Sequence, residues 1–328
     1  MPSPVDVSGL IPTTVSAQVQ QEVQQQSIAL QLGQRVPMPA GVSVVPVPRS
    51  FPKAGWVATG ERKPYTDFAI GTVPLTAEEV AAVIAIPDVY LEDIAINLWN
   101  YARPLLAEAI AIALDLAALW GIDAPPTFPV GGVEAVAQSV PAGTDVVDTV
   151  NNAMSAVEAQ GLRVTGSAAD LSVRGALRGV RDSSGAFLLG TTQAGTDAVD
   201  ALYGVPISFN SFDLSAPNDF LTGDWSRLII GVRQDIRYQM SSEGVIADDG
   251  GAVKISAFQD NMTLMKVWAR YGCVIMRPAT RRFPNDPWAN PFAKSNIGPG
   301  MPGGESGGNG DVTETSATKA TGATKKAS

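Results

Sequence analysis

The sequence predicts an α+β protein organised around one long helix and two unlike mixed regions, and three observations carry that prediction. From Leu91 to Trp120 apolar residues recur at helical spacing. Residues 145–225 alternate short helical and strand-like runs. From Arg227 onward, β-branched and aromatic stretches of strand length take over.

The 328 residues suffice for one large or two smaller domains. A hydrophobic share of 45% with 17% charged residues describes a folded globular chain over most of its length. Lys and Arg number 23 against 32 Asp and Glu, and the net charge of −9 disfavours a general nucleic-acid binder, which needs a basic face. Histidine is absent and Cys273 is the sole cysteine, which removes the usual zinc sets, any disulfide within the chain and every nucleophile activated by imidazole. Cys273, in the apolar run GCVIM, reads as a buried structural thiol. No Lys or Arg precedes Arg35, so the basic start of a secretory signal is missing. Glu108 and Asp115 break the most apolar stretch well short of the roughly 20 residues that a membrane span requires. A soluble protein made inside the cell, with no membrane partner, is the expectation.

Residues 1–44 combine repeated prolines with the Gln-rich segment QVQQEVQQQ and hold no core of their own, so an extended N-terminal arm ordered by a partner surface is expected. Within 45–75, GWVATGERKPYTDFAIG offers two β-prone runs, WVAT and TDFAI, joined by Gly60, Glu61, Arg62, Lys63 and Pro64. An isolated ribbon is marginal in water because it has nothing to pack on. Trp56, Glu61, Arg62 and Lys63 are therefore candidate contacts with another subunit.

Residues 76–144 begin with VPLTAEEVAAVIAIP, a strand-like or short helical segment. A long helix at 88–120 follows, apolar at 91, 94, 98, 101, 105, 112, 116 and 119, with Asp93, Asn97, Asn100, Glu108 and Asp115 on the opposite stripe. Gly121 ends it, and Pro104 predicts a kink on the polar side. After the hinge IDAPPTFPVGG, Asp145 caps a helix to about Gln160 with Val146, Val150, Met154 and Val157 inward, stopped by Gly161. A short strand near Leu162–Thr165, a helix around Ala168–Leu177 and a turn at Asp182–Gly185 feeding the strand AFLL complete 145–225. Residues 226–294 supply the strands RLIIGVRQDIRYQM, VKISAF, MTLMKVWARY and CVIMRP. From Ser295 to Ser328 a Gly, Ser, Thr and Ala tail reads as disordered.

No catalytic, cofactor or metal site emerges, and the chain does not read as an enzyme. Glu78 with Glu79 and Glu92 with Asp93 point apart if helical, and Asp248 with Asp249 sit in a DDGG turn. No phosphate-loop spacing occurs. Arg174 and Arg178 fit a solvated helix face, whereas Arg281 and Arg282 in ATRRFP are placed to reach an acidic patch on a neighbouring chain.

The order of segments is more specific than any single motif: SGLIP, QRVPMPAG, AGWVATGERKP, VAAVIAIPDVYLEDI, the long helix, LYGVPISFN, TGDWSRLIIGVRQ and RPATRRF. Over roughly residues 8 to 285 this order resembles the major capsid protein of tailed double-stranded-DNA bacteriophages, the Hong Kong 97-type fold. The resemblance implies an N-terminal arm (1–44), an extended loop (45–75) and a peripheral domain (76–144) with its spine helix at 88–120. An axial domain (145–225) and return strands to the peripheral domain (226–294) follow. It implies self-assembly into pentamers and hexamers of an icosahedral head that encloses DNA without sequence-specific binding. Portal, separate scaffolding and decoration proteins are the further partners implied, with the chain made in the host bacterial cytoplasm and residing in the virion. An encapsulin-type bacterial compartment is the alternative with the same fold. Some family members join a loop lysine to a neighbour's asparagine. Lys53 and Lys63 are the donors and Asn261, Asn285 or Asn290 the acceptors for such a bond, but no motif fixes the pairing, and noncovalent locking is the expectation.

Overall fold

The computed structural model describes residues 27–66, 68–89, 98–180, 201–210, 219–248, 250–283 and 289–297. A short helix, α1 (Ile28–Leu32), leads into β1 (Gln34–Pro37), β2 (Val42–Pro48), β3 (Ile70–Thr76) and β4 (Glu78–Pro87). Helix α2 (Leu98–Asp115) continues into a π-helical turn at Leu116–Trp120, then α3 (Gly132–Val136) and β5 (Gln138–Ser139). Next come α4 (Val146–Ala159), β6 (Gly166–Asp170), α5 (Leu171–Arg178), β7 (Ala201–Leu202), β8 (Val205–Asn210) and β9 (Asp219–Gly223). Strands β10 (Leu228–Ser241), β11 (Val245–Ala247) and β12 (Val253–Ser256), helix α6 (Ala257–Asp260), β13 (Met262–Ile275) and β14 (Phe292–Asn296) complete the chain.

A four-stranded sheet of order β1-β10-β13-β4 forms the centre, antiparallel except for the parallel pair β1 and β10. Successive side chains on a strand face opposite ways, so this sheet serves two cores. Leu228, Ile230, Cys273 and Ile275 pack with α1 and α2, whereas Ile229 and Val274 join Met38, Val47 and Leu75 beneath the β2–β3 ribbon. MTLMKVWARY and CVIMRP, read as separate runs, fall largely on the single strand β13, because Gly272 lets the backbone continue close to Thr76 without a break.

Two expectations about the first half are corrected. The arm does not remain outside the core up to residue 44: Ile28, Ala29 and Leu30 are buried, and β1 pairs with β10. Residues 1–26 lie outside the described residues. The stripe on α2 is also displaced, for Leu105 is exposed while Leu106, Ala107, Ile110, Ala111 and Leu114 are buried. Asp115, placed on the polar side, is buried as well. The segment is so rich in Ala, Leu and Ile that periodicity has little contrast, and α1 packs on the flank that was read as solvated. Pro104 is exposed, and Gly121 closes the helical run in the left-handed conformation, φ 66°. Residues 90–97, including Glu92 and Asp93, lie outside the described residues.

A six-stranded sheet of order β5-β14-β9-β6-β8-β7 forms the second unit. Asp145 caps α4 by accepting from Asp148 N at 2.7 Å, and Val146, Val150, Met154 and Val157 are buried as expected. Leu162–Thr165 is not a strand, and β6 starts at Gly166 instead. The following helix begins at Leu171 because Asp170 caps it. The turn and strand expected at 182–189 fall outside the described residues. Alternation again divides the faces: Phe220, Ala169 and Ala293 pack on α4 and α5, while Leu221, Ala168 and Phe292 join the first core. Trp225 meets Phe292 edge-on at 5.3 Å where the two units touch.

β14 corrects two boundaries. Phe292–Lys294 do not return to the four-stranded sheet but pair with β9 and β5. Nor does disorder begin at Ser295, since Ser295 and Asn296 continue that strand and Ile297 is buried. Ile297 is the apolar residue that justifies the extension, in a stretch whose composition otherwise masks it.

Candidate assembly interface

The expected ribbon exists, shifted outward along the chain. Its strands are β2 and β3, paired from Val42 opposite Thr76 to Pro48 opposite Ile70, whereas Trp56–Thr59, Thr66, Phe68 and Ala69 form no strand. Val45, Val47, Val73 and Leu75 cover the third core, and Val42, Val44 and Ile70 point outward and are exposed. One face of the ribbon is thus held by its own chain. Among the described residues the opposite face and the loop tip beyond it are exposed.

Residues 49–69 make that loop. Thr66 Oγ1 donates to Lys53 O at 2.8 Å, and Ala69 N donates to Ser50 Oγ at 2.9 Å, so the two limbs are tied across their root. At the tip Gly60 takes φ 90° and Glu61 N donates to Ala58 O at 3.1 Å. Glu61, Arg62 and Lys63 are exposed and make no ion pair among the described residues. Trp56 is 107% exposed and Tyr65 88%, values at which neither ring has cover from its own chain. Tyr65 and Phe68 were missed as contact candidates, although the same aromatic content that singled out Trp56 marks them.

Arg281 and Arg282 sit elsewhere. The Arg281 guanidinium lies over the Phe51 ring at 5.3 Å and Ala279 N donates to Pro48 O, so this segment braces the loop root of its own chain. Arg282 lies over Phe283 at 5.9 Å, and both arginines keep an exposed surface. They are not gathered with the tip charges. Lys53 and Lys63 are exposed, Asn285 lies outside the described residues, Asn290 accepts from Arg277, and Asn261 closes α6 at φ 47°.

A buried carboxylate, unforeseen in the sequence, fixes the arm. Asp115 accepts from Ser27 Oγ at 2.7 Å, Ile28 N at 2.8 Å and Ala29 N at 3.0 Å, filling the donors at the start of α1. Burial pushes its carboxyl up to about 6 against the pull of those three donors. The signal available was Ser27 ahead of IALQL, a helix cap in need of an acceptor. Cys273 is buried as expected, and burial raises its thiol to about 12. Glu78 and Glu79 do point apart, but as neighbours on a strand: Glu78 accepts from Thr127 and Glu79 faces Lys266 at 3.7 Å. Asp248 closes its turn by accepting from Gly250 N and Ala252 N. Among the described residues no three His, Cys, Asp or Glu side chains converge as a metal site, and no helix is long and apolar enough to cross a membrane.

The family model described as the phage capsid family matches residues 8–281. The chain belongs to that family. No curated protein sequence matches this capsid protein. Among solved structures, one from Microbacterium phage Oxtober96 is similar with a TM-score of 0.68 and 24% identity, covering 90% of this chain and 95% of that one. One from Mycobacterium phage Bobi has a TM-score of 0.68 and 24% identity over 82% and 90% of the two chains. The capsid of a native GTA particle computed with C5 symmetry gives 0.57 and 17% over 90% and 95%. At such identities the likeness is one of fold, and that fold is the mixed α+β architecture described above. The family makes the chain a phage capsid shell protein, a structural component of the virion.

Proposed function

We propose that this capsid protein builds a Hong Kong 97-type icosahedral head in which pentamers and hexamers of the chain enclose double-stranded DNA. The carrying observation is the 49–69 loop, which projects from a ribbon rooted in the core yet leaves Trp56, Tyr65 and Phe68 open to solvent. Large aromatic surface without cover marks an interaction site. A repeated interface above about 1,000 Å² per contact would supply that cover, with rim charges setting register. In this reading the four-stranded sheet with α2 is the peripheral unit, α4, α5 and the six-stranded sheet are the axial unit, and β2 with β3 carry the extended loop over a neighbour. The net charge of −9 suits an inner wall that does not adsorb packaged DNA tightly. Portal, separate scaffolding and decoration proteins complete the particle after synthesis in the host cytoplasm, and the shell locks without covalent bonds.

The charged tip supplies the test. Reversing Glu61, Arg62 and Lys63 together should abolish particles in a sedimentation assay while the circular dichroism of the subunit stays unchanged. Particles formed with unaltered yield would remove the loop from the assembly interface.

A further inference from the structure

A surface cavity of about 320 Å³ opens between the first residues of β4 and the last turns of α2. Its wall is apolar, with Val80, Leu114, Ile122, Phe128 and the buried Tyr271, and Glu78 and Asp123 line it beside them. No residue of the 49–66 segment lines it. The seven-pair ribbon, at about 3.4 Å per residue, sets its own loop more than 20 Å along from Glu78, which directly follows the ribbon. The cavity is thus an apolar socket, with Glu78 and Asp123 beside it, that the described residues leave open.

The opposite shape and charge occur on the loop. Among the described residues Trp56 is the most exposed large hydrophobic side chain, and residues 49–69 carry Arg49, Lys53, Arg62 and Lys63 against Glu61 and Asp67. An indole suits such a socket, since aromatic side chains bury about 150–250 Å² when enclosed. Thr127 already engages Glu78 in part, yet that carboxylate keeps a solvent-facing side, and Asp123 is exposed.

We propose that the Trp56 side chain of one copy inserts into the Glu78–Asp123 socket of a neighbouring copy, with the loop cations lying against those two carboxylates. This rests on the shell reading above and names the receiving site for the loop. The same contact repeated around a ring engages every loop and every socket, as a heterologous interface closing on itself requires.

The test uses shells of the full chain carrying Trp56→Cys together with Ala113→Cys, the latter on an exposed position of the socket wall. An inserted indole separates the two backbones by more than the roughly 7 Å that a disulfide tolerates, so a short bis-maleimide is the linker. Buried Cys273 stays out of the reaction. Treated shells should yield a ladder of covalent multimers on a denaturing gel, absent from either single variant. Shells that form but give only monomers overturn the proposal and leave the shell reading standing. An unmodified chain that forms no shells removes the shell reading first. If the double variant does not assemble, Ala113→Trp decides, because it fills the socket mouth from a solvent-facing position. It should raise the protein concentration needed for assembly at least tenfold with an unchanged circular dichroism spectrum, and an unchanged concentration overturns the proposal.

Discussion

Replacing Asp115 by Asn removes one titrating group from the core while keeping its shape and one acceptor oxygen. In the folded chain burial holds this carboxyl near 6, against 3.8 for the unperturbed group, so the folded state binds the proton more tightly than the unfolded state does. The stability this adds is fully present below about pH 3.8 and is lost as pH rises through about 6. A displacement of that size corresponds to about 3 kcal/mol between the two limits. Urea unfolding of the unassembled subunit, measured at steps from about pH 4 to pH 7, gives the wild-type and Asp115→Asn curves. All other carboxylates cancel in the difference. Wild type minus variant should fall by about 2 kcal/mol as pH rises across that window, most of the limiting value. Parallel curves would refute the claim that a desolvated carboxylate clamps α1.

Three further outcomes follow from packing. Gly121→Ala would place a methyl 2.3 Å from Gly131 Cα at φ 66°, and should lower stability by at least about 1–3 kcal/mol in thermal unfolding. Phe292→Ala should cost about 3–5 kcal/mol in urea, because the ring is fully buried against Trp225 where the two units meet. Cys273 should resist a thiol reagent in the native subunit at pH 8 and react at once in urea; rapid native labelling would contradict its burial.

Where a pattern was repeated along the chain, it was legible. Asp145 with its inward valines, the long β10 run, the strand character of both halves of β13 and the Gly121 stop could be read because capping chemistry and β-branched runs are local signals. The ribbon was legible in kind but not in register. VSVVPVP and IGTVPLT pair because their alternate residues share the third core, a long-range fact, whereas WVAT has β propensity but no surface to pack on. Asp115 was misplaced for the complementary reason: its acceptors serve a helix 86 residues earlier in the chain, which no window along α2 can see. Of the interface candidates, Trp56 and the tip charges stand open at the loop, while Arg281 lies over Phe51 of its own chain through a tertiary contact that spacing does not encode.

In the proposed shell the exposed 49–69 loop is covered by another copy of the same chain. Electron cryomicroscopy of particles assembled from the purified protein tests it directly. Closed shells of five- and six-subunit clusters are the expected result, each loop lying across an adjacent subunit. Compact monomers under every assembly condition, or shells whose loops stand free in solvent, would contradict it.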